Sequence, residues 1–393
     1  MALWLPRSGL AWPKPAPLGA APTAPDEAFW ASVREQFVMP PDLALMNAAN
    51  LCPSSAPVLE ALYKATREMD REPSPAYREQ MHDAKEVTRK ALAGFLRVTP
   101  EEIVITRNTS ESNNLVSSGL DLKAGDEVLL FSDNHPSNDV AWKEKARRHG
   151  YRVGVVDVVS PHPGAEYYIE AFTRALTPRT KVLAFTHLTS TVGDLLPARE
   201  LCRVARERGI LTLVDGAQSL GLMDVDLREM DPDFYSGSGH KWPCGPKEAG
   251  LLFINRRSQP QIWPSIYSAY PGAVGVSKTF EGFGQRDEPA IQALGEALRF
   301  QTKIGRTAIE GRGRELAQAL MAGLRKLPGV KLWTHPDPAR SVAVVSFQPG
   351  DLDPRKLMLA LYEKDRMVCA IRPGRDRGGV RFSPHFYNSQ AEI

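Results

Sequence analysis

Between Asn47 and about Phe253 the chain alternates short apolar runs with longer stretches in which apolar residues recur every third or fourth position. A strand covered on both faces reads as a continuous apolar string, whereas a helix shows a one-sided stripe. The spacing predicts strands over 102–106 (EIVIT), 127–131 (EVLLF), 152–158 (RVGVVDV), 181–187 (KVLAFTH), 210–215 (ILTLVD), 233–236 (DFYS) and 249–255 (AGLLFIN). It predicts helices over 84–96, 137–149 and 198–208. That alternation is the signature of crossover units on a mostly parallel, seven-stranded sheet, an α/β fold.

Past Gly284 the pattern changes: two helical stripes, 289–304 and 306–327, precede the short runs VKLW, VAVVSF, VCAI and VRFS. A smaller α+β unit is expected there, joined by an N-terminal helix at about 26–37. The expected division is an arm over 1–25, a joining segment over 26–45, a large domain over 46–287 and a small domain over 288–393. Two units suit this length because single cores stop growing near roughly 250–300 residues. The Pro- and Ala-rich arm is interrupted at Pro6 and Pro13, unlike the unbroken apolar region of a secretory signal; a degraded export signal is the alternative. The chain ends at NSQAEI directly after a strand and turn, where a further helix would be natural, so a shortened C-terminus is also expected.

Composition narrows the field. An apolar fraction of 42% and a charged fraction of 24% suit a packed soluble protein. A net charge of +3 from 49 basic and 46 acidic residues implies no general attraction to nucleic acid or membrane, so an anionic ligand must be held locally. No run approaches the roughly 20 apolar residues of a membrane span. Cys52, Cys202, Cys244 and Cys369 form no CxxC pair, which fits a reducing cytoplasm rather than a disulfide scaffold or zinc knuckle.

The most informative segments are LVDGAQSLG and SGSGHKW. Asp215 ends an apolar strand, and in a parallel sheet such ends open on the ligand crevice. A buried aspartate there can keep a heteroaromatic nitrogen protonated, and Lys241 beside it can form an imine with an aldehyde cofactor. Small residues before Lys241 let the backbone approach a ligand, while Ser238 and His240 can donate to a phosphate. Taken singly, Asp215 reads as a helix cap and Lys241 as a surface lysine; their spacing favours the site.

In RNTSESNNLV, Thr109, Ser110 and Glu111 open a helix after a strand, a phosphate cradle or an ordinary capping arrangement. His135 in SDNHPSN can stack on a planar ring and handle protons, or be a loop histidine. Arg381 in VRFSPHFYN matches a substrate carboxylate, or is structural.

In this order the segments resemble the class V aminotransferase family of fold-type I pyridoxal-5'-phosphate (PLP) enzymes, over about Met46 to Asn388. HLTSTVGDLLP, LVDGAQSLG, SGSGHKW and SPHFYN are most similar to the branch of isopenicillin N epimerase-like proteins and amino-acid C–S lyases. The resemblance implies a Schiff-base role for Lys241 and a pyridine-nitrogen partner in Asp215. It makes Gln218 a donor to the ring oxygen and His135 the stacking residue, puts Ser110, Ser238 and His240 at the phosphate, and gives Arg381 the substrate carboxylate. It also implies a homodimer with interface active sites, the GFGQR segment around Gln285 reaching the neighbour's phosphate. Two positions depart from the family pattern: Gln285 stands where threonine is usual, and Ser190 where HVSN carries asparagine.

The favoured function is that of a lyase or epimerase acting at the α-carbon of an amino acid, with aminotransferase as the alternative and a catalytically silent PLP-fold regulatory protein as the reading of another class. Cysteine desulfuration is expected to be absent, because RPGRDRGGVRF has no cysteine and Cys369 precedes that turn inside an expected strand. Substrate contacts are expected from Asn47 to Pro53, from Trp263 to Tyr270 and from the partner subunit, the two segments of this chain being equally suited to dimer packing. A nicotinamide enzyme is disfavoured because no GxGxxG follows the early strands.

Overall fold

The structure, a computed structural model, describes residues 15–372 and 376–393. Its large sheet contains β1 (Ile103–Thr106), β2 (Glu127–Phe131), β3 (Arg152–Val156), β4 (Thr180–Thr186), β5 (Leu211–Asp215), β6 (Phe234–Ser238) and β7 (Gly250–Ile254). The seven strands lie in the order β1-β7-β6-β5-β4-β2-β3. β7 runs antiparallel to both neighbours and every other pair is parallel, so the fold is the expected mostly parallel α/β sheet. The apolar strings are buried along β1, β2, β6 and β7, whereas β3 at the edge is partly exposed. The first strand starts at Ile103 rather than at 102 because Pro100–Glu102 form a 3-10 turn boxed by Thr99.

Register brings the chemistry-bearing ends together. Thr106 pairs with Gly250 and Gly250 with Ser238, while Asp215 pairs with both Thr186 and Ser236. These positions form one edge of the sheet. A Cβ on Gly250 would stand 2.6 Å from the Gly237 carbonyl and 2.9 Å from Asn108 Cα. Only glycine therefore lets the helix Thr109–Gly119 begin so close over the sheet.

A second sheet holds β8 (Val330–Leu332), β9 (Val345–Pro349), β10 (Ala370–Arg372) and β11 (Gly379–Phe382), all antiparallel, in the order β10-β11-β9-β8. Helix Arg306–Leu324 packs Ala317, Leu320 and Met321 on Val345, Phe347 and Val380. The single strand expected at VCAI is split: Met367–Val368 pairs with Ala44–Leu45, Ala370–Arg372 pairs with β11, and Cys369 sits at the switch between partners. Pro354–Asp365 is a helix that the hydrophobic pattern does not announce, since no residue on it is fully buried.

Helix Glu288–Ile304 places Ile291, Leu294 and Leu298 in the core of the large sheet. Of the expected arm, 1–14 lie outside the described residues. Within the remainder, Leu18 is buried with Trp30, Val33 and Phe37, and the Gln36 amide donates to the Ala16 carbonyl at 2.9 Å. Among the described residues no helix is long and apolar enough to cross a membrane.

Candidate active site

A cavity of about 720 Å³ opens where the carboxyl ends of the parallel strands face β10 and β11. Lys241, Asp215, His135, Gln218, Thr109, Ser110, Ser238, His240, Asn47 and Arg381 all line it. These residues span nearly the whole sequence, and the strand register gathers them.

On the floor, Asp215 accepts from the Asn113 amide at 2.9 Å and from the Ala217 N–H at 3.0 Å. Asn113 accepts in turn from the Ser236 hydroxyl at 2.7 Å. Asp215 is thus aimed by a buried chain of hydrogen bonds, which fixes a carboxylate more tightly than one contact. Lys241 stands beside it, and its Nζ makes no hydrogen bond or ion pair with the described residues. Burial lowers its pKa, with Asp215 opposing that effect and Arg381 adding to it. A less basic amine is the better nucleophile and proton acceptor near neutral pH.

Thr109 and Ser238 lock the helix start to β6, with Ser238 Oγ 2.9 Å from the Thr109 N–H and 2.8 Å from its hydroxyl. The next residue, Ser110, has no partner for its N–H and Oγ among the described residues, the arrangement a helix N-terminus offers an anion. His240 Nδ1 is buried without a partner, and burial holds the ring below its ordinary pKa. Glu111 is placed off the cavity, its carboxylate accepting from the N–H and Nε of Arg107 at 2.6 and 3.1 Å.

Gln218 bridges two segments, its Nε2 donating to Ala49 at 3.0 Å and its Oε1 accepting from Trp242 Nε1 at 2.8 Å. One amide hydrogen remains for a ligand. His135 is exposed on the cavity wall; its Nδ1 accepts from the Ser137 N–H, so in the neutral ring the proton is on Nε2. Although the ring's edge is open to the cavity, desolvation by the surrounding wall and then the charge of Lys241 lower its pKa.

The roof is cationic. Arg381 donates to the Ser190 carbonyl at 2.7 Å and to Asn47 Oδ1 at 2.9 Å, yet its Nε is buried and unpaired. Burial and then Arg372 bring its pKa down to about 10. Arg372 also lines the cavity with an unpaired Nε, and nothing in the sequence singled it out. Ala370 pairs with Arg381, so Arg372, two residues on, shares its face. Behind them Arg377 bridges Asp133 at 2.8 Å and Asp194 at 3.1 Å. Burial raises Asp194 to about 7 despite that guanidinium.

Gln285 does not enter this cavity. It lines a second one, of about 710 Å³, with Arg78, Lys85, Tyr270 and Arg286. Asn113 and Arg372 are the residues that sequence reasoning missed. Asn113 lies one helical turn after Thr109, a spacing that could have revealed it.

The free amide and hydroxyl of Ser110, the orphan Nδ1 of His240, the unpaired amine of Lys241 and the braced carboxylate of Asp215 fit PLP: an anion at one end, a ring nitrogen at the other and an aldehyde between.

Known proteins agree with this reading. The Aminotransferase class-V family model matches residues 51–393. Isopenicillin N epimerase of Amycolatopsis lactamdurans is 32% identical over 382 residues, covering 93% of this chain and 96% of that one. A probable cysteine desulfurase of Methanothermobacter thermautotrophicus is 28% identical, covering 92% and 94%. Among solved structures, a lysine-to-alanine mutant of C-DES with glycine covalently linked to its PLP cofactor superposes with a TM-score of 0.83 at 25% identity, covering 91% of this chain and 96% of that one. The cystine C–S lyase C-DES with its product cysteine persulfide superposes at 0.80 and 26% identity, covering 88% and 94%.

Proposed function

The chain belongs to the class-V aminotransferase family, and we propose that it is a lyase or epimerase acting at the α-carbon of an amino acid, with Lys241 as the group that carries PLP and handles the α-proton. Its cofactor is pyridoxal 5'-phosphate. One observation carries the reading: an unpaired Lys241 amine on a half-buried side chain shares a cavity with the braced Asp215 carboxylate and the Arg381 guanidinium.

Lys241 and Asp215 would hold the cofactor from two sides, Ser110, Ser238 and His240 its phosphate, and His135 its ring face. When bound, the cofactor supplies an aldehyde that condenses with amines and a protonated ring that draws electrons from Cα. Arg381, steadied by Asn47 and the Ser190 carbonyl, orients the substrate carboxylate through a planar fork. That orientation decides which bond at Cα stands ready to break. Lys241 Nζ, kept low in pKa by burial, accepts the Cα proton. Return of a proton to the opposite face inverts the centre; departure of a β-substituent makes the reaction an elimination.

Cysteine desulfuration through a protein persulfide is the less favoured course. Relatives and structural neighbours bear that name, but in this chain Cys369 is buried and its thiol is pushed up to about 11, away from the thiolate form. We further propose a homodimer, supported by exposed Trp263, Ile266, Tyr267 and Tyr270 close to the GFGQR segment.

The test is to incubate the PLP-loaded protein with amino acids, sulfur-containing ones included, in heavy water. Exchange of the α-proton with racemisation, or release of ammonia and an oxo acid with PLP retained, supports the reading. Stoichiometric conversion to pyridoxamine phosphate supports transamination, and no exchange with any amino acid rejects both.

A further inference from the structure

Directly behind Lys241 lies a second cluster that the reaction does not use. Cys52, Cys244 and His385 are all buried, and their two Sγ atoms and one imidazole nitrogen lie within 4.8 Å of one another. Each comes from a segment that also builds the cavity. Cys52 follows the Asn47 loop, Cys244 follows Lys241, and His385 follows Arg381.

Buried cysteines commonly act as small apolar side chains, and each thiol here can lean on a carbonyl, Cys52 on Ala48 at 3.8 Å and Cys244 on Trp242 at 3.7 Å. The histidine is harder to explain that way. Its Nε2 is 2.8 Å from the Trp242 carbonyl, which can only accept, so Nε2 carries the ring's hydrogen. Nδ1 therefore holds a lone pair that is buried and has no donor. A buried acceptor without a partner is destabilising and calls for a ligand or a role. A metal-binding imidazole characteristically donates its other N–H to a backbone carbonyl, as this one does.

We infer that Cys52, Cys244 and His385 form a structural site for a thiophilic divalent cation, zinc in the first instance. Zinc bonds sulfur at about 2.3 Å and imidazole at about 2.0–2.1 Å in a tetrahedron, which sets neighbouring donors about 3.5–4 Å apart. The three donor atoms, within 4.8 Å of one another, would have to draw together to those separations, with Nδ1 turned to the sulfurs. Two thiolates neutralise the dication and the imidazole adds no charge, so the three protein donors leave the site neutral, as a buried site requires, with the fourth tetrahedral position to be filled by a neutral oxygen. Burial keeps His385 neutral, its pKa down at about 3. The Tyr387 hydroxyl, 3.7 Å from Cys52 Sγ, is placed to donate to a thiolate. Binding releases both thiol protons, so retention should fall as pH falls. The cation would clamp the three cavity-bearing segments from behind the lysine.

The test begins with the wild-type PLP-loaded protein, given equimolar zinc and then dialysed. Retention of about one zinc per chain, with X-ray absorption showing two sulfur neighbours at about 2.3 Å and a nitrogen at about 2.0 Å, supports the site. Less than about a tenth of an equivalent, or zinc without sulfur neighbours, overturns it. Cys244→Ala should reduce retained zinc to background while PLP absorbance and far-ultraviolet circular dichroism stay unchanged. Full retention in that variant also overturns the site. Should the variant fail to fold, cobalt in the wild type decides instead: strong tetrahedral absorption at the red end of the visible supports the assignment, and weak octahedral absorption rejects it.

Discussion

The floor of the cavity and its roof hold polar groups in opposite ways. On the floor, Thr109 with Ser238 and Asp215 with Asn113 are paired at 2.8–2.9 Å across adjacent strands and the helix above them. On the roof, Arg372 and Arg381 come from antiparallel strands of the second sheet and each leaves a buried Nε unpaired. The Asp215 carboxylate and the Thr109–Ser238 pair are satisfied without a ligand, whereas the roof guanidiniums have donors to spare. A site built this way can fix one reactive group permanently and leave recognition of the varying substrate to the incompletely satisfied side.

That contrast can be broken or sharpened by substitution. Lys241→Ala should lower kcat by roughly a thousandfold or more for every amino acid tested, since it removes the acid–base group itself. Turnover within tenfold of wild type would mean that the floor is not where the chemistry happens. Asp215→Ala should cost roughly a hundredfold in kcat, the scale of losing one aimed charge, with Asn113→Ala following at about tenfold. Arg381→Lys should instead raise KM and cut kcat/KM by about 10- to 100-fold, because a point charge cannot reproduce the fork. Equal losses in kcat for floor and roof variants, with KM unmoved, would erase the distinction.

A smaller effect is expected in stability against pH. Asp194 titrates near 7 in the fold against 3.8 when free, so the folded state binds the extra proton between those values. The stability this confers is fully present below about pH 4 and is lost as pH rises through 7. Urea unfolding at pH 5 and 8 should show a drop in the wild type exceeding that of Asp194→Asn by roughly 2–4 kcal/mol. A parallel drop in both would place the proton elsewhere. Smallest of all, Cys369→Ser should leave turnover of sulfur amino acids within about twofold, given a buried thiol that stays protonated. Loss of sulfide release in that variant would instead support a desulfurase.

How much was legible follows the same line. Asp215 and Lys241 could be read because each lies at the end of an apolar strand or in a small-residue turn, patterns that are local. The seven strands were placed to within a residue or two at most ends for the same reason; β3 stops two residues short of its expected end and β6 runs two residues past. Arg372 could not be found, because its importance depends on the pairing of β10 with β11, a long-range fact. Glu111 reads as a phosphate ligand from the residues around it, whereas its carboxylate accepts from the neighbouring Arg107, a contact the motif does not announce. Gln285 is placed on another cavity, and only a second subunit could bring it to a phosphate.

Lys241 sits on a segment pinned from every side. The Gly239 N–H bonds Ala249 at 2.7 Å, Cys244 bonds Lys241 at 2.8 Å, and the Gln301 amide of helix Glu288–Ile304 reaches the Trp242 carbonyl at 2.6 Å. A Cβ on Gly239 would meet the Ala249 carbonyl at 2.7 Å. Amides so placed exchange with solvent hydrogen only when much of the molecule opens. The backbone that carries this lysine is therefore expected to open only together with the core around it, which ties the lifetime of whatever the amine carries to bond chemistry at Nζ more than to local fluctuation.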